Sequence, residues 1–213
     1  NIFGTTSNNS NNQNQNNNQQ NHLLQKYRAS SEISYYFFDA SVNYLQSLEL
    51  LYRAYDNNVE ADKLVSSIEY IKNSKASEAD RLNSSKTIIG KGSVNIQSNM
   101  QDMSYVLSEK GRGYFEQSLP YAMAAIESTL NLYNSSKNFM QNINASGQGG
   151  INLLLNNAND IAAAATVMPQ IPEFSKNMVS TVRLIFSSAK EKKIRTAGNY
   201  NKALDELNLD EFN

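Results

Sequence analysis

Apolar residues recur every three or four positions along most of the chain, which is the spacing of one face of an α-helix. The clearest stripe lies within residues 30–57, with steps of 4, 3, 4, 4, 3 and 4 between Ile33, Phe37, Ala40, Tyr44, Leu48, Leu51 and Tyr55. Ser30 or Ser31 can cap the start of this helix, and residues 56–58 can end it. Further aromatic and aliphatic side chains widen the stripe, so we expect neighbours on more than one side of this helix.

A second helix is predicted to begin near Val59, with a clear apolar face as far as Ile71. The face weakens between Lys75 and Lys86, and we expect this stretch to be partly solvated. The two glycines at positions 90 and 92 predict a break, followed by a further helical stretch that ends near Leu107.

The second half of the chain is divided by glycine and proline. Residues 110–113, Lys-Gly-Arg-Gly, predict a turn, after which the longest apolar stripe runs from Leu119 to Ile143. Pro120 suits the first turn of that helix, with Ser118 near its cap, or a kink in a helix that starts at Gly113. Residues 144–150 predict a linker and residues 154–168 another helix, which Pro169 and Pro172 stop before a last helix begins at Pro172.

Every element that the pattern supports is helical, and residues 87–96 are only a poor strand candidate. The sequence therefore predicts an all-α protein, an elongated up-and-down bundle of four to six helices with an N-terminal Asn/Gln-rich extension. Three regions follow: a polar tether or arm over residues 1–28, the helical bundle over residues 29–197, and an acidic C-terminal tail over residues 198–213.

Composition narrows the function classes. Asn, Gln and Ser together make up 69 of the 213 residues, charged residues are 18%, and the formal net charge is −1. A chain without excess positive charge does not favour nucleic acid or anionic lipid as a partner. The longest apolar runs are too short to predict a transmembrane helix.

Candidate reactive side chains are few. The chain has no cysteine and one histidine, His22, so we expect no metal, no cofactor and no catalytic residue. Glu127 is the best placed of the helical carboxylates for acid–base chemistry, but surface solvation is the simpler interpretation. The remaining carboxylates considered are Glu49, Glu60, Glu69, Glu109 and Glu116.

Three further patterns have structural explanations. Residues 90–93, Gly-Lys-Gly-Ser, do not match a phosphate-binding loop. Residues 148–150 precede a predicted helix and could bind an anion at its start, but a simple helix boundary explains these glycines better. The basic residues from Lys190 to Arg195 can pair with the acidic tail. The 12 tyrosines fill the bundle edge or, alternatively, line an internal pocket or a protein-binding face.

Residues 7–21 contain no apolar side chain, which favours a flexible tether over Asn/Gln ladder pairing, a helical extension or a packed arm. The layout of residues 1–21 before a folded region resembles that of a bacterial lipoprotein, in which a polar linker follows a lipidated cysteine. This layout implies export to the periplasm, outer membrane or cell surface, with a membrane tether supplied by an upstream segment.

We therefore expect a non-catalytic exported protein with a binding or structural role at the cell envelope, and with a protein as its partner. The alternative is a secreted or surface assembly subunit, such as a filament, effector or complex component, whose bundle is completed by another chain. A carrier with a tyrosine-lined cavity is a third hypothesis and an enzyme the fourth.

Overall fold

A computed structural model describes residues 9–73, 75–145 and 165–205, and every regular element in these ranges is helical. The all-α prediction is confirmed. The prediction of four to six helices is wrong, because the described ranges contain seven α-helices and one 3₁₀ helix, in addition to the helical residues 165–167. In chain order they are α1 (Asn9–Gln25), α2 (Glu32–Ala54), α3 (Asn58–Asn73), α4 (Glu78–Gln101), α5 (Glu109–Ala145), the 3₁₀ helix η1 (Met168–Gln170), α6 (Ile171–Glu191) and α7 (Gly198–Asp205).

Helix α2 lies at the centre of the packing. It packs most extensively on α5 and then on α3 and α4, while α5 also packs on α6. Fifteen of its 23 residues are buried, which confirms that neighbours cover more than one of its sides. Ser31 is the N-cap, because its side chain accepts a hydrogen bond from the Ser34 amide at 3.2 Å.

The second predicted helix is two helices, α3 and α4, and the break lies earlier than the glycines suggested. Ser77 restarts the chain as a helix by accepting a bond from the Asp80 amide at 3.2 Å. α4 then continues through both glycines to Gln101. A mid-helix glycine costs about 1 kcal/mol relative to alanine, whereas burying Ile96 and Met100 contributes about 2 kcal/mol each. The partly solvated stretch is also corrected at Leu82, which is fully buried.

The predicted turn at residues 110–113 is instead the first turn of α5, and Pro120 lies inside this helix. Ser118 is no cap, since its hydroxyl donates to the Phe115 carbonyl at 2.6 Å. Glycine is required at position 111 for a packing reason, because a Cβ there would lie 2.6 Å from the Ala54 carbonyl oxygen. The start of α5 and the end of α2 therefore meet backbone to backbone.

Helix α1 occupies most of the tract for which we expected a flexible tether, and the Gln15, Asn16, Asn17, Asn18 and Gln19 side chains are exposed. Its role as a tether stays a prediction. The last predicted helix is confirmed as α6, preceded by η1 at the predicted proline stop. Of the linker predicted at residues 144–150, residues 144 and 145 belong instead to α5, and the rest lies outside the described residues. Most of the helix predicted at residues 154–168 and the tail beyond Asp205 also lie outside them.

Candidate functional site

Two regions are candidates for a functional site, and the first is the junction between α1 and α2. Tyr27, only 1% exposed, donates from its hydroxyl to Asp39 Oδ1 at 2.7 Å. Lys26 Nζ reaches the same oxygen at 3.0 Å, and the Ser128 hydroxyl of α5 donates to Oδ2. We call Lys26, Tyr27, Asp39 and Ser128 the Asp39 network.

The electrostatics of this network favour a structural clamp. Burial opposes ionisation of Asp39, but the hydrogen bonds from Ser128, Tyr27 and Lys26 outweigh it and hold the pKa of this carboxyl below its usual value. Burial, together with the negative charge of Asp39, raises the pKa of the Tyr27 hydroxyl above its usual value. The carboxylate thus stays an acceptor and the phenol a donor, so neither is poised to exchange a proton with a substrate near neutral pH.

A buried arginine of α4 holds the same junction from the other side. Arg81, 2% exposed, donates from Nη1 to the Tyr27 carbonyl at 2.6 Å and to the Ile71 carbonyl at 3.1 Å. Its Nη2 lies 3.4 Å from the Arg28 carbonyl, and the guanidinium stacks 4.7 Å from the Phe38 ring centroid. We call these contacts the Arg81 clamp. One side chain thus holds together the C-terminal end of α3 and the segment that follows α1.

Local backbone geometry explains why carbonyls are available to this arginine. Arg28 adopts a left-handed conformation with φ of 51°, and the Ala29 amide bonds back to the Leu24 carbonyl at 3.0 Å. A left-handed residue followed by such a bond is a common helix ending, although glycine is the usual residue there. The carbonyls of residues 27 and 28 lie at this ending, where Arg81 meets them. Glu78 completes the junction by accepting the Ser30 amide at 3.2 Å.

The second region is a cleft of about 500 Å³ between α2, α4 and the η1–α6 corner, which we call the α2–α4–α6 cleft. Its apolar floor contains Phe37 of α2 and Phe174 of α6, whose rings lie 4.9 Å apart. Lys86 and Gln97 of α4 line one wall. The wall from η1 and α6 has polar and charged side chains, among them Gln170, Glu173, Asn177, Ser180 and Thr181.

A second cleft, of about 510 Å³, lies between α5 and the same η1–α6 corner and is mainly apolar. Tyr133, Met140, Met168 and Pro172 are among its lining residues. Neither cleft matches the hypothesis of a cavity lined by several tyrosines, because the described lining of each has a single tyrosine, Tyr44 in the first and Tyr133 in the second. Tyr27, Tyr35, Tyr52 and Tyr55 are instead buried in the core, and burial raises the pKa values of Tyr35, Tyr52 and Tyr55 to about 12.

The structure does not bring the sequence-derived carboxylates together. Glu49 pairs with Arg53 at 2.7 Å within α2, and Glu60 pairs with Lys63 at 2.9 Å within α3. Glu127 lies exposed on α5, and His22 is exposed on α1. The other three carboxylates are also exposed: Glu69, Glu109 and Glu116.

The basic residues at the end of α6 have neighbours from other helices. Lys192 Nζ lies 5.9 Å from the Tyr55 ring centroid, and Arg112 donates to the Lys192 and Lys193 carbonyls, each at 2.9 Å. The acidic residues 206–213 lie outside the described part of the chain, so pairing with them stays a prediction. Residues 90–93 are helical, which corrects any loop reading of that motif, and residues 148–150 are not described.

Sequence reasoning missed Asp39 and Arg81, the two charged residues on which the junction depends. A signal existed for Asp39, because a carboxylate directly after Phe37 and Phe38 in a mostly buried helix needs donors. Within the described ranges, no group of three His, Asp or Glu side chains could hold a metal ion. None of the described helices combines the length and apolar character that crossing a bilayer requires.

A scan of the chain against protein-family models finds no match, and neither a search of curated proteins nor one of solved structures finds a match.

Proposed function

We propose that this chain is a non-catalytic, exported helical protein with a binding or structural role at the cell envelope. In this proposal the folded part is an elongated up-and-down bundle, and the polar N-terminal segment tethers it to the membrane or to an upstream segment. The partner is a protein that contacts the folded part.

The observation that supports the proposal is the junction at Tyr27. A tether that carries load must enter the folded part at a point that resists extraction. Here the segment after α1 is held by the Asp39 network, by the Arg81 clamp and by the Glu78 carboxylate, all within residues 26–30 on the tethering side. Before this point the described side chains of residues 15–19 are exposed and polar, as a spacer in water would be.

The hydrogen bonding of Asp39 supports the non-catalytic part of the proposal. Asp39 accepts hydrogen bonds from three different side chains, so both of its oxygens already have donors. A general base needs an oxygen that can reach a substrate proton. Other described carboxylates also have partners: Glu49 and Glu60 each pair with a cation on the same helix, and Asp62 of α3 pairs with Arg53 of α2.

The test is the location of the natural full-length gene product in its own host, combined with protease treatment of intact cells. We expect the protein in the envelope or surface fraction, with protease cutting before Lys26 and releasing a folded fragment that starts near residue 26. A cytosolic protein that protease cannot reach in intact cells would contradict the proposal.

The alternative, an assembly subunit, is favoured by one surface feature. In the connection between α4 and α5, Met103 is 69% exposed and Val106 is 87% exposed. Light scattering after size exclusion separates the two hypotheses. A complex that grows with concentration and is lost in the Met103→Ser, Val106→Thr double variant would support assembly, while a monomer at all concentrations would support the tethered protein.

A further inference from the structure

The α2–α4–α6 cleft has a floor and walls of different chemistry. Phe37 and Met178 are buried on its floor, beside the Phe174 ring. Its volume of about 500 Å³ lies inside the range of about 300–1,000 Å³ that is common for small-ligand sites. A ligand with an apolar group can therefore use the floor while its polar atoms stay near the walls.

The walls present one positive and one negative side chain from different helices. Lys86 belongs to α4, and Glu173 belongs to the first turn of α6. Among the described residues neither is in a salt bridge, and Lys86 Nζ has one hydrogen bond, a long one of 3.5 Å to Asn83 Oδ1. The cleft thus offers one cationic and one anionic anchor, and neither is used by the other.

This pair of charges discriminates between ligand classes. A simple anion would be attracted by Lys86 and repelled by Glu173, whereas a simple cation would be attracted by Glu173 and repelled by Lys86. A neutral sugar can hydrogen-bond to Gln97, Asn177 and both charged side chains, but it has no formal charge to pair with either anchor. A molecule with a carboxylate and an ammonium group satisfies both anchors at once.

We propose that the α2–α4–α6 cleft binds a small zwitterion with an apolar substituent, namely a free amino acid or a short peptide with free ends. The ligand carboxylate lies at Lys86, its ammonium group lies at Glu173, and its apolar side chain packs against the Phe174 side of the floor. Gln97, whose Nε2 lies 3.5 Å from the Thr181 hydroxyl, joins the α4 and α6 walls of the cleft. This inference goes beyond the tethered-protein proposal, which does not depend on the cleft.

The test is isothermal titration of the purified 213-residue chain with L-leucine, L-phenylalanine and the dipeptide Leu-Leu. N-acetyl-L-leucine, which lacks the ammonium group, and L-leucinamide, which lacks the carboxylate, are the capped controls. We expect at least one of the three zwitterions to bind with a dissociation constant below about 5 mM, and each cap to weaken binding by about fivefold to tenfold. Preference for an amino acid or for the dipeptide then identifies the source of the zwitterion.

Variants tie the binding to the cleft. Glu173→Gln and Lys86→Met should each weaken binding by about fivefold or more. The matched controls Glu116→Gln and Lys75→Gln change exposed charges outside the cleft lining and should bind as the wild type does. Circular dichroism and thermal unfolding confirm that each variant is folded. The proposal is overturned if no zwitterion binds, if the capped compounds bind equally well, or if the two cleft variants behave like the controls.

Discussion

Replacing Arg81 by methionine tests whether one buried side chain holds the junction between the polar N-terminal segment and the folded part. Methionine is close in length and can still pack on Phe38, but it cannot donate a hydrogen bond. The substitution therefore leaves the carbonyls of Tyr27 and Ile71, at 2.6 and 3.1 Å from Nη1, without their donor.

The magnitude follows from these two bonds. Hydrogen bonds to a charged group contribute about 1.5–3 kcal/mol each, so losing both costs about 3–6 kcal/mol. Part of this is offset, because the variant no longer buries a guanidinium whose Nε has no hydrogen-bond partner. We expect the free energy of unfolding to fall by about 3 kcal/mol. Arg81→Lys should lower the free energy of unfolding by less than Arg81→Met, because lysine keeps the positive charge. It should still lower it, because lysine cannot reach all the carbonyls from one planar group.

Two measurements follow the change. Urea unfolding gives the free energy of the whole cooperative unit. Limited trypsin digestion reports the junction itself, because Lys26 and Arg28 are cleavage points on either side of Tyr27. If the junction opens locally, a loss of about 3 kcal/mol raises the cleavage rate at these two positions by about 150-fold.

The matched control is Arg195→Met, which removes an exposed arginine. It should change the free energy of unfolding by less than about 0.5 kcal/mol. A loss below about 1 kcal/mol in Arg81→Met, with trypsin cleavage at Lys26 and Arg28 unchanged, would refute the role assigned to the Arg81 clamp.

Three further predictions concern other contacts. Gly111→Ala should lower the free energy of unfolding by about 1–3 kcal/mol, because the new Cβ would lie 2.6 Å from the Ala54 carbonyl oxygen. Gly113→Ala, where a Cβ meets nothing within 4 Å, should raise it by about 0.5 kcal/mol, and equal effects at both glycines in urea unfolding would contradict the close approach. Lys193→Gly should raise the free energy of unfolding by about 0.5 kcal/mol, and with it the melting temperature, because Lys193 has a left-handed φ of 55° that glycine adopts without strain. A lower melting temperature would show that the conformation is not strained. The folded-state pKa of Asp39 lies below its ordinary value of 3.8, so its contribution to stability is present above that value and is lost as pH falls through the lower folded-state pKa. The free energies of unfolding of the wild type and Asp39→Asn, measured in urea, should therefore converge in acid. A constant difference between the two proteins at all pH values would argue against this contribution.

The elements that the apolar pattern predicted best are those with one long stripe. α2 and α6 follow the pattern because both bury that stripe; the boundaries of α2 lie within three residues of the prediction, and α6 begins one residue before the predicted start at Pro172. The errors occurred at glycines. Residues 90 and 92 and residues 111 and 113 lie inside helices, since a local preference of about 1 kcal/mol is small beside the burial of side chains such as Ile96 and Phe115.

The junction was beyond sequence reasoning for a different reason. Tyr27 lies 12 positions from Asp39 and 54 positions from Arg81, and no local repeat links these positions. Asp39 could have been suspected as a carboxylate in an apolar run, but its donors come from a preceding segment and from Ser128, 89 positions away. Residue types can show that a partner is needed, and they cannot show which segment supplies it.

The sequence by itself determined the helical character of the protein, because helical periodicity depends only on the spacing of apolar side chains along the chain. It also excluded thiol chemistry, since the chain has no cysteine. Only the tertiary structure decided where helices begin and end at the glycines, which carbonyls Arg81 holds, and that Lys86 and Glu173 line one cleft. The physical reason is that these features depend on the distance between helices, and packing of many side chains at once sets that distance.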